Sequence, residues 1–128
     1  MSRSEAREIA FKLIFEYDFA KMKQVETFEE FSVGLGEDDL SYLNEVYNGV
    51  CANYDKLLED IAENANGFEV SRIYKVDLAI LILAIYEIKY MSSIPYKVSV
   101  DEALNLAEKY STEKSSKYIN GILSKFSK

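Results

Sequence analysis

The chain has 128 residues, 48% of them hydrophobic, with one proline, one cysteine, no histidine and a net charge of −7. That length fits one domain able to bury about two-thirds of its unfolded surface, and a lone Cys51 excludes an internal disulfide. The absence of His removes the commonest general base and metal ligand, and the longest apolar run, Leu78 to Tyr86, is well short of the roughly 20 residues a membrane span needs.

Helical periodicity runs through almost the whole chain, and no convincing period-2 segment interrupts it. Ser2 with Glu5 forms a capping box that opens a first helix running to about Lys23. A second box, Thr27-x-x-Glu30, opens a short helix through Phe31 that stops near Gly34 and Gly36. Asp38 or Asp39 then caps a longer element with the stripe Leu40, Leu43, Tyr47, Val50, Cys51 and Tyr54. Asn53 breaks it, and Leu57, Leu58, Ile61 and Ala62 continue the pattern to the turn Asn64-Ala65-Asn66-Gly67. An apolar helix follows from about Lys75 to Met91, ended by Ser92, Ser93 and Pro95. Ser99-x-x-Glu102 is a third capping box, and Ser115 or Ser116 starts a last helix carrying Tyr118, Ile119, Ile122, Leu123 and Phe126.

Two of these helices have more than one apolar face. The segment Leu78 to Tyr86 is hydrophobic all round and should be central. In the first helix Ala6, Ile9, Ala10, Leu13, Ile14 and Tyr17 cluster within an arc of about 140°. Phe11, Phe15 and Phe19 centre on the opposite side. Either this helix is sandwiched between two sub-bundles, or its phenylalanine stripe meets a partner. Glycine inside a helix costs about 1 kcal/mol against alanine, so Asn120-Gly121 is expected to mark close helix packing.

Charge is distributed unevenly. Residues 24–70 carry one Lys against twelve acids, whereas residues 71–128 carry nine basic residues against six acidic ones. No Gly-rich phosphate loop is present, because Gly34-Leu35-Gly36 lacks the following Lys-Ser/Thr or a third glycine. Glu37-Asp38-Asp39 reads as an acidic helix start and Glu59-Asp60 as a solvated face, so neither a catalytic carboxylate pair nor a metal site is expected. A non-enzymatic, cytoplasmic, all-α protein without cofactor or membrane anchor follows as the expectation.

Four stretches resemble the NusB family of transcription antitermination factors. They are Arg3-Ser4-Glu5-Ala6-Arg7-Glu8-Ile9-Ala10 with Phe15-Glu16-Tyr17-Asp18-Phe19; Val76-Asp77 with Leu83-Ala84-Ile85-Tyr86-Glu87; Ile94-Pro95-Tyr96-Lys97-Val98 with Asp101-Glu102-Ala103; and Lys114-Ser115-Ser116-Lys117-Tyr118-Ile119-Asn120-Gly121. The resemblance implies one domain over residues 1–128, built as two small helical bundles sharing the central helix. It implies binding of single-stranded boxA RNA together with the small-subunit ribosomal protein NusE, within the transcription elongation complex. By position, Arg3, Arg7, Lys114, Ser115, Lys117 and Tyr118 would contact RNA, and Phe15 and Asp77 would face the ribosomal protein, with Phe11 and Phe19 on the same stripe as Phe15.

The chain departs from the family in two places. Ser4 and Glu5 stand within what is often a run of arginines, and Leu78 and Ile82 stand where basic residues are common. Each lost phosphate contact lowers the salt dependence of single-strand binding by about 0.7 in log–log slope, so RNA binding by the isolated chain is expected to be weak. A rival reading is a helical protein-interaction module or homodimer with weak or no RNA binding.

Overall fold

In a computed structural model that describes residues 2–67 and 69–127, seven α-helices follow one another, and no strand occurs among the described residues. They are α1 (Arg3–Ala20), α2 (Val25–Ser32), α3 (Glu37–Ala52), α4 (Tyr54–Asn64), α5 (Lys75–Tyr90), α6 (Tyr96–Tyr110) and α7 (Ser115–Leu123). Every residue of α5 from Asp77 to Ile88 is buried, as its all-round apolar sequence requires. It packs against α1, α3, α4, α6 and α7. The architecture is therefore two small bundles sharing an apolar helix. Leu78 and Ile82 lie in this core, so these two positions offer no surface to a ligand.

Several helix starts differ from the expected ones, and for α2 and α6 a tertiary partner takes the expected capping side chain. The Ser2–Glu5 box forms, with Ser2 Oγ accepting from the Glu5 N–H. α1 nonetheless ends at Ala20, because Lys21 adopts the left-handed conformation at φ 60°. α2 begins a turn early, at Val25, and Thr27 instead donates to Glu16 Oε2 at 3.0 Å, tying α2 to α1. α3 starts after Gly36, so Glu37, Asp38 and Asp39 sit in its first turn, where the dipole favours acids. α6 starts directly after Pro95, and the buried Ser99 donates to Glu87 Oε1 at 2.8 Å rather than capping the helix.

The two stripes of α1 resolve differently along its length. Ala6, Ala10, Leu13 and Ile14 pack into the core. On the opposite stripe Phe11 is buried beneath Tyr110 of α6, with ring centroids 5.2 Å apart, Phe15 is half-buried, and Phe19 is 64% exposed. The helix is thus sandwiched at its start and open at its end. Where it ends, Asp18 is buried and accepts from the Tyr54 hydroxyl of α4, with Lys75 3.3 Å away on α5. Burial opposes that charge, but these partners outweigh it and hold the carboxyl below its ordinary range.

The close helix contact falls at Gly49 rather than Gly121. A Cβ on Gly49 would overlap the Tyr86 ring of α5, so only glycine lets α3 approach the central helix there. Gly121 is exposed, and a Cβ would meet nothing within 4 Å, so packing does not explain it. Denaturant unfolding should separate the two. Gly49→Ala is expected to destabilise by about 1–3 kcal/mol through overpacking, whereas Gly121→Ala should be neutral or stabilising by up to about 1 kcal/mol.

Candidate RNA and partner surfaces

A buried hydrogen-bond cluster at the first turn of α5 sets the position of α7. Ser111, just after α6, donates to one oxygen of Asp77, and Ser115, the first residue of α7, donates to the other at 2.9 Å. The Thr112 N–H donates to Ser115 Oγ at 3.3 Å, closing the turn between α6 and α7. Asp77, read from the resemblance as facing the ribosomal protein, therefore lies behind the surface with both oxygens occupied. Ser115, read as an RNA contact, is likewise buried. The cluster presents Lys114 and Lys117 to solvent, with Tyr118 half-buried between α7 and the core. Burial pushes the Tyr118 hydroxyl upward, and nearby Asp77 adds to the shift, so the ring is neutral at ordinary pH.

The two N-terminal arginines are drawn elsewhere. Arg3 reaches α3, donating to Asp39 at 2.8 Å with its guanidinium 4.6 Å from the centre of the Tyr42 ring, and its side chain remains 40% exposed. Arg7 is a core residue. Its side chain is 6% exposed and donates to Glu87 Oε2 at 2.8 Å, while Tyr42 and Ser99 donate to the same carboxylate. Burial opposes the Arg7 charge, but the bond to Glu87 more than compensates, and the guanidinium is held still more firmly protonated than usual. The sequence pattern groups Arg7 with the RNA-facing residues, yet the fold gives it four helices to hold together instead.

Charge pairing sharpens the contrast. Among the described residues, the side chains of Arg72, Lys114 and Lys117 have no ion pair or hydrogen bond, whereas each remaining described lysine and arginine has one or the other. Among the described residues, the cations without a partner therefore gather at the start of α7 and in the segment before α5. Arg72 was not singled out by the sequence, because ion pairing is a tertiary property that no local motif announces.

Also at α5's first turn, Phe11, Lys12 and Phe15 of α1 form a shallow apolar groove with Val76 and Tyr110. Phe15 meets Phe19 edge-on at 5.1 Å, extending the apolar surface toward the end of α1. Phe15 and Phe19 are thus accessible along one side, and Phe11 forms the groove's base beneath Tyr110. Tyr110 and Val76 are groove walls that helical periodicity could not assign to this surface. Tyr110 is fixed by donating to Glu8, which also pairs with Lys109 at 2.9 Å; the tyrosine hydrogen bond first, and the lysine after it, hold the Glu8 carboxyl below its ordinary range.

Elsewhere the side chains offer little chemistry. Burial pushes the Cys51 thiol up to about 11, so at neutral pH it is protonated and unreactive. No group of three or more acidic or cysteine side chains among the described residues is placed to hold a metal ion, and no described helix is long and apolar enough to cross a membrane.

Comparison with known proteins agrees over nearly the full length. The NusB family profile matches residues 4–128. The transcription antitermination protein NusB of Acetivibrio thermocellus is 43% identical, covering 98% of this chain and 88% of that protein. The NusB of Clostridium novyi is 37% identical, covering 96% of each. Among solved structures, T. maritima NusB superposes with a TM-score of 0.90 at 27% identity, covering 98% of this chain and 90% of that one. A structure of antitermination factors NusB and NusE with dsRNA matches in fold at a TM-score of 0.86 and 22% identity, covering 97% and 94%.

The buried position of Arg7 has a measurable consequence. Removing it strands Glu87 in the core without its cation, so Arg7→Ala should lose about 3–5 kcal/mol in urea unfolding. A stability close to that of the parent chain would mean that Glu87 is not held as described.

Proposed function

The chain belongs to the NusB family, and we propose that it is an RNA-binding transcription antitermination factor. It acts on boxA-type single-stranded RNA jointly with the small-subunit ribosomal protein NusE, within the elongation complex that reads through termination signals. The observation that carries this reading for the chain itself is the start of α7. There Lys114 and Lys117 are exposed and without a carboxylate partner, and the Asp77 cluster ties the start of their helix to the core. Cations free of carboxylates can neutralise phosphates without first breaking an intramolecular pair.

The apolar groove of Phe15, Val76 and Tyr110, with Phe19 beyond it, is the face for the ribosomal protein. Its wall Val76 is the chain neighbour of Asp77, so protein and RNA would meet at the first turn of α5. With Arg7 in the core and Arg3 held by Asp39, the N-terminal helix contributes at most Arg3 to phosphate binding. That makes the RNA contacts few, and NusE would supply the remainder.

Titration of boxA RNA with and without NusE tests the reading. Weak binding by the chain alone should tighten markedly when NusE is added. Lys117→Ala should weaken RNA association and lower the log–log salt slope by about 0.7 while leaving NusE affinity unchanged. Phe15→Ala should cost about tenfold or more in NusE affinity. Tight salt-dependent binding by the isolated chain, or indifference of RNA binding to Lys117→Ala, would contradict it.

A further inference from the structure

We propose that Arg72 and Tyr74, in the segment between α4 and α5, form a second wall of the RNA surface, binding a phosphate and stacking an unpaired base. The proposal rests on the RNA-binding reading above and adds to it two residues outside α7. Together with α7 they enclose a groove of about 260 Å³, far larger than the roughly 30 Å³ a single water occupies. Its rim is Arg72, Tyr74, Lys114 and Tyr118, with Ile73 and Asp77 below.

Three observations point to a single-stranded nucleic acid as the occupant. First, Arg72 and Lys114 are two of the three described cations without an ion pair or hydrogen bond, and both line this groove. On a chain of net charge −7, an unpaired pair of cations on facing walls is where positive potential can survive. Second, Asp77, which lines the groove, spends both oxygens on Ser111 and Ser115, so an incoming phosphate meets hydroxyl-bonded rather than bare carboxylate. Third, Tyr74 is 53% exposed and lines the same groove as Arg72. An open ring sharing a groove with a planar, phosphate-binding fork is a combination that unpaired bases use, one group taking the base face and the other its backbone.

Tyr74 is also well placed to be rigid. Its carbonyl accepts the Leu78 N–H at 2.9 Å as the first bond of α5, and Ile73 beside it is buried. The ring therefore projects from the fixed end of the central helix rather than from a free loop, which limits the ordering entropy lost on stacking.

The test uses the full chain with single-stranded boxA-type RNA in the presence of NusE, titrated at several salt concentrations, and NusE affinity measured separately. Arg72→Ala should lower the log–log salt slope by about 0.7. Tyr74→Ala should weaken RNA binding about fivefold or more, the lower end of stacking for one base, and Tyr74→Phe should bind like the parent chain. Both side chains are exposed, so the unfolding midpoint and NusE affinity should not move. If Lys117→Ala weakens RNA binding while Arg72→Ala and Tyr74→Ala do not, the second wall is wrong and the RNA reading stands. If none of these variants matters, both fall. Loss of NusE affinity without loss of RNA binding in Arg72→Ala would assign the groove to an acidic segment of the protein partner and overturn the proposal.

Discussion

The structure depends on a central helix that is apolar around its whole circumference. α5 is buried from Asp77 to Ile88, and helices on every side must converge on it. Beyond its first turn, such a helix leaves little surface for a ligand. The consequences appear at its two buried charged positions. Glu87, deep in the core, has to be satisfied internally, and Arg7, Tyr42 and Ser99 are recruited from α1, α3 and α6 to do it. Asp77, at the first turn, performs the same service for the junction of α6 and α7.

Pairing divides the molecule's cations into those that fasten helices together and those left open to solvent. Acids outnumber bases overall, and most cations are held by a carboxylate or an amide oxygen. Positive charge is left available at one end, around the start of α7 and the segment before α5. Apolar surface is left uncovered on the adjoining side, where α1 runs past the end of α6 and Phe15 and Phe19 lose their cover. The proposed protein face, which includes Val76, and the proposed nucleic-acid face, which includes Asp77, thus meet at the first turn of α5.

Much of this was legible in the sequence. Periodicity indicated six or seven helices, the Asn53 break and the termination before Pro95, because each is a local property of spacing and backbone restriction, and the described residues hold seven α-helices. The wheel of α1 correctly separated its two stripes. Capping boxes at Thr27 and Ser99 were illegible as such, since their hydroxyls had tertiary partners, Glu16 and Glu87, that no local pattern reveals. The same limit applied to the surface. Arg7 and Lys117 look alike as letters near basic ends of the chain, yet one is buried against Glu87 and the other is open to solvent. Gly49 and Gly121 differ for the same reason, as only the fold puts Tyr86 beside one of them.

The division into two faces is tested most directly by amide chemical-shift mapping of the isotope-labelled chain during titration with single-stranded boxA-type RNA. Shifts concentrated at residues 70–74 and 112–118 are predicted, with the amides around Phe15 and Phe19 unmoved until NusE is added. Shifts centred on α1 around Phe15 with RNA alone, or on the acidic helices α2 and α3, would contradict it.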